Sequence, residues 1–143
     1  MIALSIRQPY AGALVAGWKD TENRTRMLSL RGRFLIHAAG QLHSSGQHAF
    51  DEVEHLAGQK VPLLGAPGQA TEWTLGAIIG VAELQSAHRG CDGTCSPWAH
   101  PGSVHHQVVN ARPLRLPVQC PGRLHPFTPD AATLAALKEV WPR

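Results

Sequence analysis

The order of periodic segments along this chain predicts an α+β domain built round a small, mixed β-barrel with flanking helices. Three observations carry that reading. Gly32-Arg33-Phe34-Leu35-Ile36-His37-Ala38-Ala39 is rich in β-prone residues and is closed by Gly40. Leu75-Gly76-Ala77-Ile78-Ile79-Gly80-Val81-Ala82-Glu83-Leu84 is a nearly continuous apolar run, as a central strand covered on both faces requires, and its glycines supply the bends of a tightly curved barrel. Short strands of this kind, five or six in all, alternate with only a few helical segments.

Taken in order, Ile2 to Ile6 alternates weakly and reads as a first strand, stopped by Arg7-Gln8-Pro9. Pro9 then opens a short helix to about Ala16, apolar all round and therefore buried, with Gly17 as its left-handed cap. Trp18 to Arg24 reads as extended, Thr25 to Arg31 as a basic loop, and Gly40 to Gln47 as a polar loop after the Gly32 strand. From Gln47 to Ala57, Phe50, Val53 and Leu56 fall near helical spacing, with Gly58 as the stop. Gln59 to Glu72 has glycines, prolines and no period, which indicates a loop with at most a helical turn. After the apolar strand comes a long loop from Ala87 to Gly102, then two strand candidates, Val104–Ala111 and Leu114–Val118, the second pushed toward a sheet edge by Pro113 and Pro117. Asp130 to Val140 closes the chain as an amphipathic helix with Leu134, Leu137 and Val140 on one stripe.

With 143 residues, 43% apolar and 16% charged, the composition is that of one globular domain spanning residues 1–143, with no disordered tract and no repeat. The net charge is only +3, but Lys19, Lys60 and Lys138 are the only lysines among 13 basic residues, so ten are arginines. Arginine suits planar contact with phosphate, which favours a nucleic-acid or nucleotide partner. No apolar run is long enough to span a bilayer and Met1-Ile2-Ala3-Leu4 is not a secretory signal, so no membrane partner and a cytoplasmic location are expected. Three cysteines, Cys91, Cys95 and Cys120, are odd in number and too few for a disulfide framework, in keeping with a reducing compartment.

Lys19, Asp20, Glu22 and Arg24 fall within six residues directly after the buried helix. Such a cluster is either a solvated surface strand or a site. Three blocks bear on the choice: Leu4-Ser5-Ile6-Arg7-Gln8-Pro9-Tyr10-Ala11, then Gly17-x-Lys19-x-x-Glu22-x-Arg24, then Arg31-Gly32-Arg33-Phe34-Leu35-Ile36-His37-Ala38. In order and spacing they resemble the opening of an ASCH domain, named for activating signal cointegrator homology. The resemblance implies a barrel of the PUA-like superfamily with a cleft between barrel and first helix for a nucleic acid or nucleoside. Members of that family include RNA and DNA binders, a metal-dependent ribonuclease, and an amidohydrolase acting on acetylated cytidine, which carries threonine where Glu22 stands.

On this reading Lys19, Arg24, Arg26, Arg31 and Arg33, with Arg7, contact phosphate, and Glu22 accepts from the exocyclic amine of a base. Gln8 begins the helix, where free backbone N–H groups can receive an anion, and Tyr10 and Trp18 are either stacking platforms or packing. A straight strand would point Lys19 and Glu22 to opposite faces, so a shared site requires the chain to bend after Gly17. The preferred function is binding of single-stranded nucleic acid, RNA more than DNA, or of a nucleotide, with no cofactor required. The alternative is a hydrolase acting on RNA or on an acyl-modified nucleoside through Lys19 and Glu22, with Thr21 adjacent. A second alternative is a non-catalytic protein-interaction module. Separately, His88, Cys91, Cys95 and His100 supply two thiolates and two imidazoles within thirteen residues, enough for a structural zinc, with His105 and His106 as further candidates nearby, only one of which can face the cleft from a strand.

Overall fold

The computed structural model describes residues 1–64 and 68–142. Strands β1 (Ala3–Gln8), β2 (Thr21–Arg24), β3 (Gly32–Leu42), β4 (Ala77–His88) and β5 (Val104–Gln119) form one sheet in the order β1-β3-β4-β5-β2. β1 runs parallel to β3 and the remaining pairs are antiparallel. Helices α1 (Tyr10–Val15), α2 (Gln47–Ala57) and α3 (Ala131–Glu139) and a 3-10 turn at Thr71–Trp73 complete a mixed α+β, barrel-like fold. The sheet is not closed, since β1 and β2 are its two ends.

Period-two alternation divides the core. Phe34, Ile36 and Ala38 of β3 and Ala77 and Ile79 of β4 face α1 and α2, joined by Leu4, Leu14 and Val53. Leu35 and Ile78 point the other way, against Leu114, Val118, Phe127 and Leu137 of α3. The central strands are therefore covered on both faces, as their unbroken apolar runs require. Each such leucine, isoleucine or phenylalanine contributes roughly 1.5–3 kcal/mol by leaving water. Gly80 lets α1 press on β4: a Cβ there would lie 2.7 Å from Val15 Cγ2 and 2.8 Å from the Arg112 carbonyl.

Several boundaries differ from the sequence expectation. β3 continues through Gly40 to Leu42 instead of ending at Ala39. β4 begins at Ala77 and runs on to His88, which shortens the following loop. Val104–Ala111 and Leu114–Val118 are one strand, β5, and its Leu114–Val118 part is paired to β4 at Val118. A register shift between Val81 and Glu83, next to Asn110 at φ 55°, absorbs the irregularity, and Pro113 lies opposite Gly80 beside a second shift. α2 spans the expected Gln47–Ala57, and Asp130 caps α3 by accepting from Thr133 N–H at 2.8 Å. The expected Gln59–Glu72 loop contains the start of the 3-10 turn, and its residues 65–67 lie outside the described residues.

Candidate functional site

The corner after α1 sets the site. Gly17 adopts φ 78°, its N–H donates to Leu14 O at 3.1 Å, and Trp18 N–H donates to Ala13 O at 2.9 Å. These are the two bonds of a Schellman cap, which a left-handed glycine permits. Lys19 N–H joins Trp18 on the same Ala13 carbonyl at 3.0 Å, so the chain turns sharply before β2 begins at Thr21. The turn brings Lys19 Nζ to 3.6 Å from Glu22 Oε2, with the two side chains only 3% and 12% exposed. Nζ also donates to the Thr21 carbonyl and lies 5.5 Å from the centre of the Tyr10 ring. Burial holds the Lys19 ammonium below the usual lysine range, against an opposing pull from Glu22.

Glu22 and Arg24 share a face of β2, two residues apart. Arg24 Nε is 3.9 Å from Glu22 Oε1, and its Nη2 donates to the Ser5 carbonyl of β1 at 3.2 Å. Arg24 thus spans the gap between the two end strands, where a closed barrel would have ladder bonds. Its Nε is the one buried side-chain polar atom without a hydrogen-bond partner among the described residues. Over this seam opens a cavity of about 650 Å³ whose lining includes Ser5 and Arg7 of β1, Tyr10 of α1, Lys19, Glu22, Asn23 and Arg24, Arg26, and His43, His100 and His125. Four cations converge there, two of them, Arg7 and Arg26, on the exposed rim.

Tyr10 is buried, its ring edge-on to His43 at 5.0 Å and its hydroxyl donating to Glu52 Oε1 at 3.2 Å. Burial, with Glu52 alongside, raises the phenol. Glu52 of α2 also meets His100 Nε2, at 3.0 and 3.2 Å, and so holds that imidazole beside the cavity. Asn23 secures the same loop from β2: its Nδ2 donates to Trp98 O at 2.9 Å and its Oδ1 accepts from His100 N–H at 2.9 Å. Asp20 Oδ1 accepts from Ser96 Oγ at 2.5 Å and from Thr21 Oγ1 at 2.9 Å.

Other residues expected at the site lie elsewhere. Gln8 is fully buried, its amide donating to Glu72 O and Thr74 O and its carbonyl accepting from Gly12 N–H, so it ties α1 to the 3-10 turn. α1 has six residues, and that N–H of its first turn is already taken by Gln8. Trp18 packs on Trp73 with ring centres 5.2 Å apart instead of offering a platform in the cavity. Thr21 is buried with its hydroxyl on Asp20. Arg31 folds back onto the Leu28 and Leu30 carbonyls, and Arg33 lies 3.7 Å from Glu83 in a separate hollow with Arg112 and Trp141. His43, Asn23 and Glu52 were not flagged by the sequence; nothing in their local pattern marks them, because distant elements bring them together.

The cysteine-histidine cluster also differs from its expected membership. His88, Cys91, Cys95 and His105 have ligand atoms all within 4.8 Å of one another and could hold a metal ion. His100 is not among them, since its ring nitrogen is engaged by Glu52. Hydrogen bonds from Gly93 N–H and from His88 lower the Cys91 thiol to about 6.

Two further histidines are structural. His37 is held between Ser5 Oγ at 3.0 Å and the Cys120 carbonyl at 2.8 Å. His106 Nε2 accepts from Leu28 N–H at 3.0 Å while its Nδ1 faces the Glu22 carbonyl at 3.3 Å. Burial lowers both below the ordinary histidine value of 6.5. Below that value the unfolded chain binds protons that the folded chain does not, so stability present above 6.5 is lost as pH falls toward the depressed folded values. The urea midpoint should decline as pH falls below about 6.5, and His106→Gln should reduce that decline.

A family model described as ASCH domain matches residues 4–90. Among solved structures, ASCH from Zymomonas mobilis is similar with TM-score 0.56 at 13% identity, covering 96% of this chain and 93% of that one. A serine-to-alanine variant of the Zymomonas mobilis protein gives 0.57 at 12%, covering 96% and 94%, and a tyrosine-to-phenylalanine variant 0.56 at 15%, covering 96% of each chain. These similarities concern the fold. No curated protein matches the chain, and no helix among the described residues is long and apolar enough to cross a membrane. The matched stretch includes more than half of the chain and carries β1, α1 and β2, with Lys19, Glu22 and Arg24; the chain belongs to the ASCH domain family.

Proposed function

We propose that the chain binds single-stranded nucleic acid, RNA in preference to DNA, one nucleotide unit of which sits in the seam between β1 and β2. ASCH domains are generally associated with nucleic-acid binding. The observation that carries the reading is the convergence of Arg7, Lys19, Arg24 and Arg26 on a single cavity of about 650 Å³ that is also lined by a partly buried carboxylate, Glu22. That volume lies within the range of roughly 300–1,000 Å³ usual for small-ligand sites, and it suits a base with its sugar and phosphate. The rim arginines meet phosphate, and Glu22 accepts from an exocyclic amine. A free nucleotide would use the same contacts. Tyr10, enclosed by His43 and Lys19, supports the wall and does not stack. Binding requires no cofactor, and a zinc ion at the cysteine-histidine cluster has a structural part only.

The hydrolase reading has one observation in its favour: an ammonium held below its usual range within reach of a carboxylate, the pairing a general base needs.

Fluorescence anisotropy with short labelled RNA, DNA and duplex probes tests the binding. Affinity for single-stranded RNA should fall with salt, log K losing about 0.7 per phosphate contact for each decade of salt. Arg26→Ala and Arg24→Ala should each weaken binding across sequences and lower the salt slope by about one contact. Salt-independent binding, or variants that bind as the parent does, would overturn the assignment. Turnover of RNA or acetylated cytidine that Glu22→Gln abolishes would establish the hydrolase instead.

A further inference from the structure

The geometry points to a structural zinc site at the mouth of the β4–β5 hairpin, with His88 Nε2, Cys91 Sγ, Cys95 Sγ and His105 Nδ1 as ligands. His88 ends β4 and is the register partner of His105 at the start of β5, so two ligands come from a fixed ladder. The two cysteines come from the connection that follows, and they are free thiols.

His105 Nδ1 lies 3.4 Å from Cys95 Sγ and 3.4 Å from His88 Nε2. Tetrahedral zinc with bonds of about 2.3 Å to sulfur and 2.0–2.1 Å to nitrogen separates its ligand atoms by about 3.3–3.8 Å. The tautomer is set independently. His105 Nε2 lies 2.6 Å from the His100 carbonyl, which can only accept, so the proton is on Nε2. Nδ1 therefore turns a bare lone pair toward a thiol and a second imidazole. A backbone carbonyl on the far nitrogen is the outer contact that orients a metal-bound histidine, and Gly93 N–H on Cys91 Sγ at 3.4 Å serves the thiolate similarly. Two thiolates with two imidazoles in tetrahedral reach select zinc over the harder divalent ions.

The ion also explains how the connection from 89 to 103 keeps one course without strand or helix of its own. Ligation at Cys91 and Cys95 fixes the segment from Ser96 to His100 from one side while Asp20 and Asn23 fix it from the other. His100 thereby keeps its place beside the cavity. This link to the cleft rests on the nucleotide-binding reading, whereas metal content does not, so the two fail separately.

The test uses the full chain, stripped with a chelator under reducing, anaerobic conditions and then given zinc or cobalt. Elemental analysis should return one zinc per chain, and cobalt should give the intense visible bands of a tetrahedral site with thiolate charge transfer. Cys91→Ser and His88→Ala, both at positions outside the core, should lose metal with an unchanged far-ultraviolet spectrum. His100→Ala should keep it. In the stripped chain the amides from Ser96 to His100 should exchange with solvent on the order of tenfold faster. A chain that takes up no zinc, a Cys91→Ser variant that retains it, a His100→Ala variant that loses it, or a Cys91–Cys95 disulfide in the freshly purified protein would each overturn the site.

Discussion

Glu22→Ala should lower the stability of the chain by on the order of 3 kcal/mol, as breaking one side of a buried ion pair does. Lys19 is enclosed, and among the described residues its ammonium meets one side-chain counter-charge within salt-bridge distance, Glu22 at 3.6 Å, besides the Thr21 carbonyl. With Glu22 gone, the buried cation keeps its desolvation cost and loses the interaction that offsets it. The least costly response is to release the proton. The folded-state value of Lys19 is already depressed below 10.5 and would fall further. Between that depressed value and 10.5 the unfolded chain binds more protons than the folded one, so the variant should regain stability as pH rises through the alkaline range. Urea midpoints at pH of about 7 and 9.5 check both parts. A variant as stable as its parent at neutral pH, or one with no added alkaline slope, would mean that Lys19 and Glu22 are not coupled. Glu22→Gln, which keeps an acceptor oxygen, should lose less.

Asn23→Ala should cost about 2 kcal/mol and should loosen the 96–100 segment well before the sheet unfolds. One amide satisfies both Trp98 O and His100 N–H, and alanine leaves both without a partner in a largely buried setting. Each orphaned group costs roughly 1–3 kcal/mol unless water reaches it. Limited proteolysis should then cut between Ser96 and Gly102 in the variant and spare the parent. If cutting is unchanged while the urea midpoint drops, the amide serves β2 itself and not the loop. Asn23→Asp is informative beside it, since a carboxylate can accept from His100 N–H but cannot donate to Trp98 O.

The fold was legible wherever a residue type had a single physical use. An apolar helix followed by glycine announced a cap, while the bend after it was only what a shared Lys19–Glu22 site would require, and the capped turn supplies it. The unbroken apolar run of β4 announced a strand covered on both sides. Legibility failed where direction matters more than type. Gln8 and Trp18 are polar and aromatic residues beside the site, yet both turn inward, one to bind carbonyls and the other to meet Trp73. Arg33 belongs to the same basic stretch as Arg31, but alternation on β3 sends it to Glu83. His100 fitted the one-dimensional spacing of a metal ligand, while strand register brings His105 to that corner and leaves His100 to Glu52. Register and the docking of α2 are long-range outcomes with no local signature.

The unclosed sheet carries a mechanical consequence. Among the described residues, its first and last strands are joined by the reach of one guanidinium to one carbonyl. A guest lodged between them would act as the missing stave of a cask, joining the two free rims through its own polar groups. Occupancy would then stiffen the whole circumference and not merely the residues it touches, while an empty cleft leaves those rims able to spread without giving up a single rung of the ladder.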